Sequence, residues 1–222
     1  MSTARDNILV RVRHALGKRE RDEVRLAAAE AYIAGHAQGP RPTLPEDLVE
    51  RFMRRARDME STVERIAEET EIPQRVAGYL RALRLPPALA AQMSTSGVCW
   101  PELAALDWSG AGLAMESRAA TGSDRLAVTG VFCAIAETGT MVIVSGAETP
   151  TASILLPETH IAVVAADRIV PGMEEAFALL RREKGVLPRA VNLVSGPSRT
   201  GDIEQTIVLG AHGPYRVHIL VV

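Results

Sequence analysis

Residues Ser195 to Pro214 read S-G-P-S-R-T-G-D-I-E-Q-T-I-V-L-G-A-H-G-P. An apolar run, Ala190 to Val194, precedes them and reads as a buried strand. Gly196, Pro197 and Gly201 then interrupt regular structure, and Ser198, Arg199, Thr200 and Asp202 set polar side chains on a backbone that must turn tightly. Asp202 and Gln205 have the spacing of a helix-start capping pair. Strand, glycine-punctuated turn and helix start, in that order, are the repeating unit of an α/β fold. They also make an anion site, because the first-turn N–H groups have no helical partner. Arg199 adds a planar fork matched to a carboxylate or phosphate. A second polar turn, His212-Gly213-Pro214, closes the stretch. Turns of this composition also serve simply as connections.

Outward from this stretch, short uninterrupted apolar runs recur at Leu126 to Thr129, Met141 to Ser145 and His160 to Ala165, the pattern of strands covered on both faces. Shorter strand candidates lie at Thr62 to Ala67 and Leu89 to Met93, and residues 94 to 112 read as irregular. Helical periodicity marks Pro45 to Met59, Pro73 to Leu83 and Pro171 to Arg182. The terminal run Arg216 to Val222 is almost wholly apolar and is expected inside the sheet. Strands separated by helices predict an α/β sheet with parallel pairs, whose ligands sit beyond the carboxyl ends of the strands.

Ahead of this domain, residues 3 to 16 and 21 to 33 read as helices, the first with Ile8, Leu9, Val12 and Leu16 on one face and Arg5, Arg11 and Arg13 on the other. Gly39 to Pro45 carries three prolines and reads as a linker. The expected organisation is a helical arm over residues 1–38, a proline-rich linker over 39–45 and an α/β domain over 46–222.

Composition narrows the function. With 222 residues, 47% hydrophobic, 23% charged and a net charge of −2, the chain has the balance of a globular protein and no basic field for nucleic acid. No apolar run is long enough to span a membrane, and the basic N-terminus lacks the apolar core of a secretory signal. The 25 Lys and Arg residues include only two lysines, Lys18 and Lys184, neither in a glycine-rich loop, which excludes a P-loop. Two cysteines, Cys99 and Cys133, are too few for a four-cysteine iron–sulfur cluster and suit free buried thiols in a reducing cytoplasm. No H-x-x-x-H spacing occurs, so no metal site is expected; His160 and His218 read as satisfied, partly buried imidazoles.

A second motif, Glu137-Thr138-Gly139-Thr140, puts one carboxylate and two hydroxyls around a glycine. Alone it reads as a tight turn between short strands. Taken in order, A-I-A-E-T-G-T, S-G-P-S-R-T-x-D-I-E and G-x-H-G-P closely resemble the LUD domain of the lactate-utilisation protein C family, over roughly residues 46 to 222. The resemblance implies a Rossmann-like, mostly parallel sheet of the ribose-5-phosphate isomerase, glucosamine-phosphate deaminase and CoA-transferase type. It also implies a cytoplasmic subunit without clusters, acting with iron–sulfur partner proteins to oxidise L-lactate to pyruvate, with no cofactor in this chain. A small carboxylate would then be held by Thr138, Gly139, Thr140, Ser198, Arg199 and Thr200, with Glu137, Asp202, Glu204 and His212 as candidate acids or bases. The alternative is a stand-alone enzyme or binding protein for a phosphorylated or CoA-linked small acid, resting on fold analogy.

Overall fold

The computed structural model describes residues 3–17, 22–43, 47–83, 95–200, 208–210 and 212–222. It divides into two compact units, Met1–Pro42 and Thr43–Val222. The first holds helix α1 (Ala4–Ala15) and helix α2 (Glu23–Gly35). Thr3 and Asp6 cap α1 reciprocally: each side chain accepts the other's backbone N–H. Asp22 caps α2 by accepting from Arg25 N. Neither helix has a buried residue.

The second unit begins with α3 (Leu48–Asp58), capped by Asp47, and β1 (Thr62–Arg65). A 3₁₀ turn, Glu69–Glu71, leads into α4 (Ile72–Ala82), which has Pro73 in its first turn. Strand β2 (Ser96–Cys99) and a second 3₁₀ turn (Pro101–Leu103) lie within the stretch expected to be irregular; β3 (Ala114–Ser117) follows it. The next elements are β4 (Leu126–Gly130), β5 (Cys133–Ile135), β6 (Thr140–Val144), α5 (Ala152–Leu155), β7 (Thr159–Val164) and β8 (Ile169–Val170). Helix α6 (Met173–Lys184), β9 (Val191–Val194), β10 (Arg199–Thr200), β11 (Val208–Leu209) and β12 (Arg216–Val221) complete the chain. The strand expected at Leu89 to Met93 lies outside the described residues.

Six strands form one sheet in the order β1-β12-β7-β4-β2-β3, and every neighbouring pair is parallel. Alternation along β7 explains its uninterrupted apolar run. Ala162 and Val164 join a core with Phe52, Met53 and Ala56 of α3, while Ile161 and Val163 join one with Ile72 and Val76 of α4. The C-terminal β12 lies between β1 and β7, as its composition required.

A second sheet, β8-β5-β6-β9, departs from the sequence expectation. Here β5 and β6 form an antiparallel hairpin and β9 pairs antiparallel with β6. Met141 and Ile143 face the α3 core, and Cys133, Ile135 and Val142 pack with Ala176 and Leu179 of α6. Thus β6 is covered on both faces, but by another arrangement than a parallel sheet. Strand β9 is an edge, not a buried strand: none of its residues is fully buried and Leu193 is 44% exposed. Cys99 and Cys133 are free and buried, and burial pushes the Cys133 thiol up to about 11.

Candidate functional site

The site is assembled around the C-terminal end of α3. That helix stops at Met59, and Glu60 takes the left-handed conformation (φ 66°) that helix ends favour. The turn between β5 and β6 carries Glu137, Thr138 and Gly139. Its hydrogen bond runs from Gly139 N to Ile135 O, 2.9 Å, and Gly139 is left-handed at φ 71°. A Cβ at Gly139 would lie 2.4 Å from Ala56 N and 2.5 Å from Arg55 C, so the helix backbone rests directly on this turn. Gly196 follows the same logic beyond β9. Its φ is 84°, and a Cβ there would lie 2.0 Å from the Met59 carbonyl oxygen.

Hydroxyls join the two turns. Thr138 Oγ1 and Thr140 Oγ1 are 2.7 Å apart, and Thr140 Oγ1 and Ser195 Oγ are also 2.7 Å apart. Arg199 reaches the same helix end: Nη2 donates to Met59 O at 3.0 Å, with Nη1 3.8 Å from Glu60. Ser198 is held by the third motif, its N–H on Pro214 O at 2.9 Å and its Oγ accepting from His212 N at 3.3 Å. Thr200 sits in β10, paired with Val208 of β11. The first motif therefore meets the second across 55 residues, and the third, close by in sequence, holds Ser198 of the second.

Not every expected residue shares this locus. The His212 side chain lines a depression of about 440 Å³ with Leu155, Glu158 and Tyr215, whose lining contains none of Glu137 to Thr140. Asp202 and Glu204, with the helix start expected there, lie outside the described residues. Among the described residues, no group of three or more His, Cys, Asp or Glu side chains could hold a metal ion.

Two arginines of α3 belong to the site and were missed. Arg51 Nη2 lies 3.5 Å from Glu137 O, while Arg51 Nε and Arg55 Nε are buried without a hydrogen-bond partner. The available signal was the run R-F-M-R-R-A-R-D beside a turn-forming motif, which only topology brings together. Guanidinium donors along α3 and hydroxyls of the two turns are groups that can hydrogen-bond an anion.

The carboxyl rim of the parallel sheet is a different place. A cleft of about 240 Å³ there is lined by Glu69, Glu102, Gly130, Val163, Ala165 and Val222. Burial, reinforced by the charges of Glu69 and Glu148, raises the Glu102 carboxyl above the usual range, against the Gly130 N–H bond that lowers it. The rule that ligands lie beyond strand ends leads to this cleft, whereas the two motif turns belong to the second sheet. No basic side chain is among its described lining, so it disfavours anions.

The sequence pattern of the LUD domain matches residues 49–222. The lactate utilization protein C of Bacillus licheniformis is 40% identical over 91 residues, covering 40% of this chain and 38% of that protein. Its counterpart in a Geobacillus species is 41% identical with the same coverage, and that of Bacillus subtilis 38%. The match thus spans 38% of these relatives' length. A crystal structure of a DUF162 family protein from Deinococcus radiodurans has the same fold, with a TM-score of 0.53 and 22% identity over 81% of this chain and 99% of that one. This chain belongs to the LUD domain family.

Proposed function

We propose that this protein serves lactate utilisation as the subunit without clusters of a cytoplasmic assembly that oxidises L-lactate to pyruvate, with iron–sulfur partner proteins taking the electrons. Oxidation removes two electrons and two protons from the hydroxyl-bearing carbon and its hydroxyl. In this reading the chain binds the lactate carboxylate at the turns Glu137–Thr140 and Ser198–Asp202. Thr138, Thr140, Ser198, Arg199 and Thr200 provide the polar contacts. Glu137, Asp202 or Glu204 accepts the hydroxyl proton, and the carbon-bound hydrogen leaves as a second proton, released to water, and two electrons, which pass to the partners.

The observation that carries this reading is the meeting of the motifs at one helix end, with the Thr138–Thr140–Ser195 hydroxyl chain bridging them. The names of the relatives add the lactate context. Among the described residues no helix is long and apolar enough to cross a membrane. The test is genetic and biochemical together. Deletion of the gene is expected to abolish growth on L-lactate, and the tagged chain to co-purify with iron–sulfur proteins. A strain that still grows on lactate, with a chain that never associates with such proteins, would sink the proposal.

A further inference from the structure

We propose that Arg51 of α3, rather than Arg199, grips the carboxylate at this site. The inference rests on the functional reading above and moves the carboxylate grip in it from Arg199 to Arg51. Arg199 is already employed: its Nη2 donates to Met59 O at 3.0 Å and fastens the helix end. Arg51 is half-buried and underused. Among the described residues its hydrogen-bond contact is Nη2 to Glu137 O at 3.5 Å, the outer limit of a hydrogen bond, and its buried Nε has no hydrogen-bond partner. Nε and Nη2 form one edge of the guanidinium, the edge that takes both oxygens of a carboxylate.

A buried cationic N–H without an acceptor is costly, and a functional site is where such a cost is kept. The next residue after Glu137 is Thr138, one end of the hydroxyl chain. Arg55 is half engaged, its Nη1 on Asp58 at 2.9 Å. One uncommitted guanidinium balances a monoanion; a phosphate dianion calls for more positive charge than the locus leaves free.

The test is isothermal titration of the full chain with L-lactate and, separately, pyruvate. Arg51→Gln is expected to weaken L-lactate binding by about tenfold to a hundredfold, the range of a charged hydrogen bond. Arg51→Lys, a point charge without the fork, is expected to recover only part of the loss. Arg54→Gln, on the exposed face of the same helix, is expected to bind as the wild type. Thermal melts followed by circular dichroism check folding; if Arg51→Gln does not fold, Arg51→Lys decides. A folded Arg51 variant that binds L-lactate within about twofold of wild type overturns the assignment, as does a wild-type chain that takes up neither acid. Growth on lactate is read independently, so dependence of growth on the gene alongside unaltered binding in the variant overturns the role of Arg51 alone.

Discussion

Gly139 and Gly196 make the same demand of one helix end. Each is left-handed, and at each a methyl group would run into α3 backbone, where no side-chain rotation relieves the clash. Gly139→Ala or Gly196→Ala is expected to cost about 3 kcal/mol, the sum of a left-handed alanine and overpacking. Urea denaturation measures it; a change under about 0.5 kcal/mol would mean that the helix end does not rest on the turns. The histidines give a second residue-level expectation. His160 is fully buried with Nε2 2.8 Å from Thr129 Oγ1, and His218 stacks on Tyr79 with Nδ1 2.8 Å from Thr62 Oγ1. Burial lowers both to about 4, below the ordinary 6.5. A depressed folded value means that the unfolded chain takes the proton first. Stability from these groups is complete above pH 6.5 and is lost as pH falls towards 4, by about 1.4 kcal/mol per pH unit per histidine. Urea midpoints between pH 7 and pH 4 should fall, and the His218→Gln variant should fall less steeply.

Helix α3 is the element on which the site depends. Its buried face, Phe52, Met53 and Ala56, packs on the parallel sheet and on Met141 and Ile143 of the second sheet. Its end meets Gly139, Gly196 and Arg199. Phe52→Ala is expected to destabilise by about 3–5 kcal/mol and to weaken any ligand bound at the turns. A folded variant with wild-type stability would contradict this. The sequence signals α3 through its apolar spacing and acidic first turn, and it signals the turns through glycine and hydroxyl content. It does not signal their contact. Nothing in R-F-M-R-R-A-R-D says which loop lies under Arg55, because that is decided by the β5–β6 hairpin, whose first strand is only Cys133–Ile135. Strand β2, S-G-V-C, was illegible for a similar reason: four residues opening on Ser and Gly carry no period.

For the whole molecule, the α/β class and the inner place of the C-terminal strand were legible, because parallel strands covered on both faces are apolar throughout. The second sheet was not. Runs such as Met141 to Val144 look the same whether their neighbours run parallel or antiparallel, and β9 resembles an inner strand although it is an edge. The resemblance to the LUD domain therefore reached the motif positions sooner than periodicity reached their arrangement. All buried residues among those described lie at or after Phe52. A chain beginning at residue 43 is accordingly expected to fold cooperatively, with a melting temperature within a few degrees of the full protein; a broad, non-cooperative melt would show that the first unit is needed. The proposed carboxylate site joins the motif turns to helix α3, and a crystal structure grown with L-lactate is its decisive test. The prediction is a carboxylate within hydrogen-bond distance of an α3 guanidinium or of Thr138 or Thr140. Lactate seated instead in the Glu102 cleft, with the turns empty, would contradict it.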